Sequence, residues 1–174
     1  MPKSVVLQEI NDYSKLVSYY EKYKNKPWEQ WLEFDKTLKP GKQGIVGLLN
    51  LNRKSSSRKD LKYVFKLSQY INYLIQHESV VMKGLNEISC FCPHFCKAIG
   101  TIKCKVNPKS QKEGNPFDMN VKYPIEKEVL LCELIEKSCK LYNYIRADER
   151  ISEDILYSTI KQVLLAIIIA QRKK

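Results

Sequence analysis

The chain has 174 residues, 44% of them apolar and 28% charged, with 30 Lys and Arg against 19 Asp and Glu and a formal charge of +11. That length holds one ordinary domain, or one lobe of a larger fold with its extensions, and excludes a typical two-lobed enzyme. The composition excludes a disordered chain, and the basic excess turns attention to acidic partners: nucleic acid, phosphorylated ligands or a membrane surface.

The opening residues, MPKSVVLQEINDYSK, carry no apolar signal-peptide core. This predicts an intracellular, reducing compartment in which the six cysteines are thiols; virion, host cytoplasm and nucleus are not distinguished. Ile10, Tyr13, Val17 and Tyr20 recur at helical spacing, and Pro27 opens a second short helical segment with Trp28, Trp31 and Leu32. Residues 1–37 therefore read as a helical N-terminal extension whose aromatic side chains serve as core or docking residues.

At residue 38 the texture changes. A turn, PGKQGIVG, leads into an apolar run, followed by a polar turn, NRKSSSRKD, and a second run, LKYVFKL. Two antiparallel strands joined by a basic, solvated turn account for this pattern. Residues 36 to 66 hold nine basic side chains and one acidic one, Asp60, which keeps a nucleic-acid-binding face as a less favoured reading.

Residues 68–85 follow the helical period, with Ser68 as N-cap and Ile71, Leu74, Ile75, Met82 and Leu85 on one stripe. Glu78 falls at i+7 of that stripe, where a carboxylate is costly to bury unless a cation meets it, and Lys66 at the end of the preceding strand is the nearest candidate. A solvated position at the edge of the stripe is the alternative. Next come a Cys-rich loop, SCFCPHFC, a strand, KAIGTIKCKV, and a surface loop over 107–124. A further strand, EVLLCELI at 128–135, and a short helical KLYNYIRAD lead to a last helix capped by Ser152, with Glu153 and Asp154 at its positive end. The longest apolar run, VLLAIIIA, is far below the roughly 20 residues that span a bilayer, so no membrane span is expected.

Taken together, a Gly-containing hairpin, a strand ending in VFKL, a helix with Glu78, two more strands and a polar connector resemble the small lobe of eukaryotic-type serine/threonine protein kinases. The Lys-, Tyr-, Asn- and Ile-rich texture is similar to that of kinase-like products of large DNA viruses. The resemblance implies an α+β small lobe over 38–135, with a short antiparallel sheet and a packed helix. It implies that 136–174 form the hinge exit, a short helix and the first long helix of a missing second lobe. It also implies a weak ATP site, with Mg only alongside ATP. The hairpin glycines Gly41, Gly44 and Gly47 cover the phosphates, Lys66 contacts them, and Glu78 holds Lys66, with Glu87 in reserve. Cys132 falls at the gatekeeper position, Glu133 opens the hinge, and Leu134 and Ile135 lie near the base. The family pattern G-x-G-x-x-G is met by Gly44 and Gly47, whereas Lys42 stands in the first place and Gly41 fits only with a local shift.

The family's H-R-D-x-x-x-x-N loop and D-F-G, which supply the catalytic aspartate and the metal-binding groups, do not occur. The resemblance thus implies a truncated or split, pseudokinase-like product, with no catalytic residues of its own and no autonomous phosphoryl transfer. The alternative is an interaction protein that pairs with a completing or partner chain through the apolar helix at 152–174. Cys90, Cys92, His94 and Cys96 are zinc-competent, but ligands alternating over so short a segment close poorly around one ion; a compact loop with buried thiols is the preferred reading, with no metal site.

Overall fold

The computed structural model describes residues 3–38, 44–52, 61–68, 72–93, 95–108, 117, 121–136, 143 and 151–172. Gly41, Lys42, Ile71, His94, the basic turn at 53–60 and all of the KLYNYIRAD segment except Asn143 lie outside them. The fold is α+β. Helix α1 (Lys3–Tyr23) and a short 3-10 turn (Trp28–Gln30) precede β1 (Leu32–Thr37), β2 (Gly44–Leu51) and β3 (Lys62–Ser68). Helix α2 (Asn72–Glu87), β4 (Ala98–Val106), β5 (Ile125–Glu133) and a final helix, α3 (Glu153–Arg172), complete the described elements. The strands form one five-stranded sheet in the order β1-β2-β3-β5-β4, with every neighbouring pair antiparallel.

Beyond Pro27 the expected second helix shrinks to a single 3-10 turn, and Leu32–Thr37 is a strand. Two adjacent buried residues, Trp31 and Leu32, anchor this segment, and β1 takes its hydrogen bonds from β2 with a bulge between Phe34 and Lys36. Backbone pairing thereby satisfies groups that a short isolated helix would leave open. The glycine-containing segment consequently falls between the paired strands β1 and β2, and the basic segment between the paired strands β2 and β3.

Other boundaries move as well. Ser68 is the buried last residue of β3, its carbonyl accepting from the Lys127 ammonium at 3.0 Å, and α2 starts at Asn72. The stripe of α2 turned to the sheet is Ile75, Ser79 and Met82, whereas Leu74 is exposed. Strand β5 begins three residues earlier than expected and ends at Glu133, leaving Leu134 and Ile135 beyond it.

The central strand β3 decides how the two faces are filled. Side chains alternate along a strand, so Tyr63, Phe65 and Leu67 point to one face and Val64 and Lys66 to the other. The first face is covered by the N-terminal segment. Leu16 and Tyr20 of α1, Trp31 and Phe117 pack there with Leu49, Phe65 and Leu131. Phe117 meets both Trp28 and Phe65 edge to face, with centroids 4.9 and 5.1 Å apart. The N-terminal segment is therefore part of the sheet's own core. The second face receives α2, with Ile75 packing on Ala98, Leu130 and Cys132.

Strand β4 is an edge, and α1 occupies its open backbone groups. The Tyr20 hydroxyl donates to the Thr101 carbonyl at 3.0 Å and accepts from the Thr101 N–H at 3.2 Å, while the Tyr13 hydroxyl donates to the Ala98 carbonyl at 3.2 Å. Such capping blunts an edge that would otherwise template further pairing.

Tyr63 is fully buried and its hydroxyl donates to the Leu16 carbonyl at 2.7 Å. Burial, reinforced by neighbouring Tyr19 and Tyr20, pushes its phenol far above the ordinary 10.0, and burial also raises Tyr13 and Tyr20. The folded state then holds protons that the unfolded chain releases near pH 10, so stability is intact below about pH 10 and falls as pH rises above it. Tyr63→Phe should cost about 1 kcal/mol at neutral pH through the lost hydrogen bond, and should flatten the decline above pH 10. Denaturant titrations between neutral pH and pH 11 check both outcomes.

Candidate functional site: the Lys66–Glu78 pair

Lys66 owes its position to strand alternation. With Phe65 and Leu67 committed to the α1 face, the side chain between them must leave on the α2 face. Glu78 lies one helical turn beyond the buried Ile75 and one turn before Met82, on the edge of the stripe that meets the sheet. The two converge: Lys66 Nζ lies 2.7 Å from Glu78 Oε1 and 2.7 Å from Oε2. Their side chains retain 35% and 34% exposure, so the pair is open to solvent on one side and accessible to an anion. An ion pair this exposed contributes about 1 kcal/mol or less to stability.

The end of α2 is held by contacts that sequence reasoning missed. Asn86 Nδ2 donates to the Ala98 carbonyl at 2.6 Å, and Asn86 Oδ1 accepts from the Ala98 N–H at 3.1 Å, so one amide side chain mimics a neighbouring strand. The Tyr13 hydroxyl donates to the same carbonyl and accepts from Asn86 Nδ2 at 3.4 Å. Asn86 sits near a helix end, where a polar residue ordinarily faces water, and no local signal announces its partner. Lys127 is also hidden in the sequence: it is buried, burial lowers its pKa, and it ties the end of β3 to β5 two residues after Lys66.

The glycines have a packing role that is independent of any ligand. A Cβ on Gly47 would lie 2.5 Å from the Phe65 ring and 2.7 Å from the Lys36 carbonyl oxygen; on Gly44 it would lie 2.2 Å from the Leu67 carbonyl oxygen. Both positions therefore exclude side chains because β2 runs close to its neighbours.

Cys132 lies opposite Val64, one step along β5 from the Leu130 that pairs with Lys66, and is buried on the α2 face. Glu133 closes β5: its Oε1 accepts from the Lys97 N–H at 2.8 Å and its own N–H donates to the Lys97 carbonyl at 3.1 Å. Leu134 is half-buried and Ile135 exposed. Lys66, Glu78 and Cys132 thus share one region of one face, with 133–135 leading away from its rim. Glu87, at the exposed end of α2, lies more than two turns beyond Glu78.

A separate cavity of about 620 Å³ is lined by Phe95 and by Thr159, Gln162, Val163, Ala166 and Ile167 of α3. None of the sequence-selected site residues lines it, and its wall is mostly apolar, with Thr159, Gln162 and Gln171 as polar side chains and no cationic side chain to meet a phosphate. Among the described residues no cluster of three or more His, Cys, Asp or Glu is placed to hold a metal; Cys90 is exposed, Cys92 buried and Cys96 half-buried.

No protein-family model matches the chain, and no solved structure matches it. The chain is similar to Uncharacterized protein 038R of Invertebrate iridescent virus 3, with 28% identity over 175 residues that cover 90% of this chain. It spans only 31% of that relative's length.

The solvent-open pair and the close-packed glycines respond differently to substitution. Lys66→Ala and Glu78→Gln should each change stability by less than about 1 kcal/mol, whereas Gly47→Ala should destabilise by about 1–3 kcal/mol because the Phe65 ring must move. Thermal and denaturant unfolding of the three variants would show this order.

Proposed function

We propose that this chain is a protein kinase-like small lobe that binds ATP·Mg without transferring the phosphoryl group on its own. The observation that carries this reading is the 2.7 Å contact between a strand lysine and the glutamate of the following helix. In kinases the equivalent ion pair orients the lysine toward the nucleotide phosphates. The order of elements supports it: a glycine-containing hairpin, β3 with Lys66, α2 with Glu78, then β4 and β5.

The residues fit a nucleotide in outline. Lys66 Nζ, held by Glu78 yet a third exposed, offers charge to phosphate oxygens. The Glu133 N–H and carbonyl are taken by Lys97 and Cys96, so the main chain at 134–135 would meet the base. Bound Mg would neutralise phosphate charge, but the 174 residues contain neither H-R-D nor D-F-G. The groups that orient an acceptor and fix metal must therefore come from other polypeptide. A viral relative about three times as long is consistent with such a lobe belonging to a larger protein, and supports a viral origin.

Titration calorimetry with ATP·Mg on the folded chain tests the proposal. Binding is expected to be weak, and Lys66→Ala should lower affinity at least tenfold. Failure of a folded sample to bind, or binding indifferent to Lys66→Ala, overturns it.

Helix α3 favours a second, compatible reading as an interaction element. Ile155, Ile160, Val163, Leu164, Leu165, Ile167 and Ile168 are exposed, and Ala166 is the buried residue of the helix. Each such side chain gains roughly 1.5–3 kcal/mol on burial, so the helix calls for apolar neighbours on several sides. No described helix is long and apolar enough to cross a membrane. The isolated chain should self-associate through α3, and charged substitutions such as Val163→Glu with Ile167→Lys should shift it toward monomer in sedimentation velocity. A monomer whose α3 amides are strongly protected from exchange would contradict this reading.

A further inference from the structure

We infer that Cys96 and Cys132 form a redox-reactive thiol pair, a site for reversible disulfide formation that links the α2–β4 connection to the end of β5. The inference stands apart from nucleotide binding. It rests on where the chain turns back after α2. Beyond α2 the Ile88 N–H donates to the Leu85 carbonyl and the Cys92 N–H to the Ile88 carbonyl, and Lys97 lies beside Glu133. There the Lys97 N–H and carbonyl are both fixed to Glu133, and the Cys96 thiol donates to the Glu133 carbonyl at 3.9 Å.

Cys132 is the partner of Ala98 across the β4–β5 ladder. Cys96, two residues before Ala98, falls on the same face and packs into the cluster of Ile75, Leu130 and Cys132 under α2. Cys96 is thereby packed against the small buried cluster that holds Cys132. Diagonal neighbours across a ladder lie about 7–8 Å apart at Cα, and a disulfide needs about 4.4–6.8 Å. Closure therefore requires an inward shift of about an ångström at Cys96, which lies just outside β4.

Access divides the roles. Cys132 is 7% exposed, whereas Cys96 is half-buried, so a reagent in solution meets Cys96 first. Electrostatics agree. The neighbouring Cys132 thiol holds the Cys96 pKa below its ordinary value, against burial and the Glu133 charge. The same contact, with burial and the Glu78 carboxylate, pushes Cys132 up, and Lys66 opposes this only in part. A thiol attacks best when it is accessible and more readily ionised, and of the two Cys96 is the more exposed and the one whose pKa is lowered.

The co-reactant is a low-molecular-weight disulfide such as glutathione disulfide. The Cys96 thiolate attacks one of its sulfurs, forming a mixed disulfide and expelling one small thiolate. Cys132 then gives its proton to that thiolate and attacks Cys96 Sγ, which releases the second small thiol. Two protein thiols become one disulfide, and one small disulfide becomes two thiols.

Incubation of the folded chain with glutathione disulfide, alkylation of remaining thiols and non-reducing peptide mapping tests this. The expected product is a Cys96–Cys132 cross-link that dithiothreitol reverses, with two fewer free thiols and a higher melting temperature. Cys96→Ser should slow loss of Cys132 at least tenfold, and Cys132→Ser should leave a persistent glutathione adduct on Cys96. The wild-type map decides even where a variant fails to fold. A folded chain that keeps both thiols free, or that cross-links Cys90 or Cys92 instead, overturns the inference. Because no nucleotide is used, this result and that of the ATP titration fail independently.

Discussion

Alternation along β3 is the constraint on which the rest depends. Three consecutive large side chains at every second position, Tyr63, Phe65 and Leu67, are wholly buried and must share a face, which forces Val64 and Lys66 onto the other. A one-residue slip would drive Lys66 into the aromatic core and expose Phe65, a cost no surface interaction could offset. The register with β2 and β5 on either side is accordingly well determined, and the lysine has one direction available.

The two faces then acquire different physics. The α1 face is dry and aromatic, filled by ring contacts and by tyrosine hydroxyls that reach the backbone of Leu16, Ala98 and Thr101. The α2 face is smaller and chemically mixed, with Ile75 and Leu130 beside the Lys66–Glu78 pair and two cysteine thiols. Buried apolar area on the first face supplies rigidity, while titratable and nucleophilic groups collect on the second. The solvent-open ion pair on the second face contributes little to the fold that carries it.

Connections between the faces run through α1 and the end of α2. Asn86 and Tyr13 converge on the same Ala98 carbonyl, so the C-terminal turn of α2, the start of β4 and α1 are fastened at one point. The position of Glu78 relative to Lys66 depends on how α2 sits on the sheet, and that fastening is one of its determinants. The N-terminal segment, which looks in sequence like an appendage, is thereby coupled to the candidate site by way of the edge strand.

Much of this was legible in the residues. Period-two alternation marked β3, helical spacing marked α1 and α2, the Ser152 cap with Glu153 and Asp154 marked α3, and a carboxylate near an apolar stripe pointed either to a cation, with Lys66 as the nearest candidate, or to a solvated edge. What the sequence could not decide was set by long-range pairing. Leu32–Thr37 is a strand because β2 supplies its hydrogen bonds, and Asn86 finds its partner twelve residues away only once β4 has been placed. The proximity of Cys96 and Cys132 depends on a loop path and a ladder register spanning 36 residues. Local sequence determined which side chains could share a face; the tertiary structure decided which faces met, because contacts between distant segments are fixed by the packing of the whole sheet.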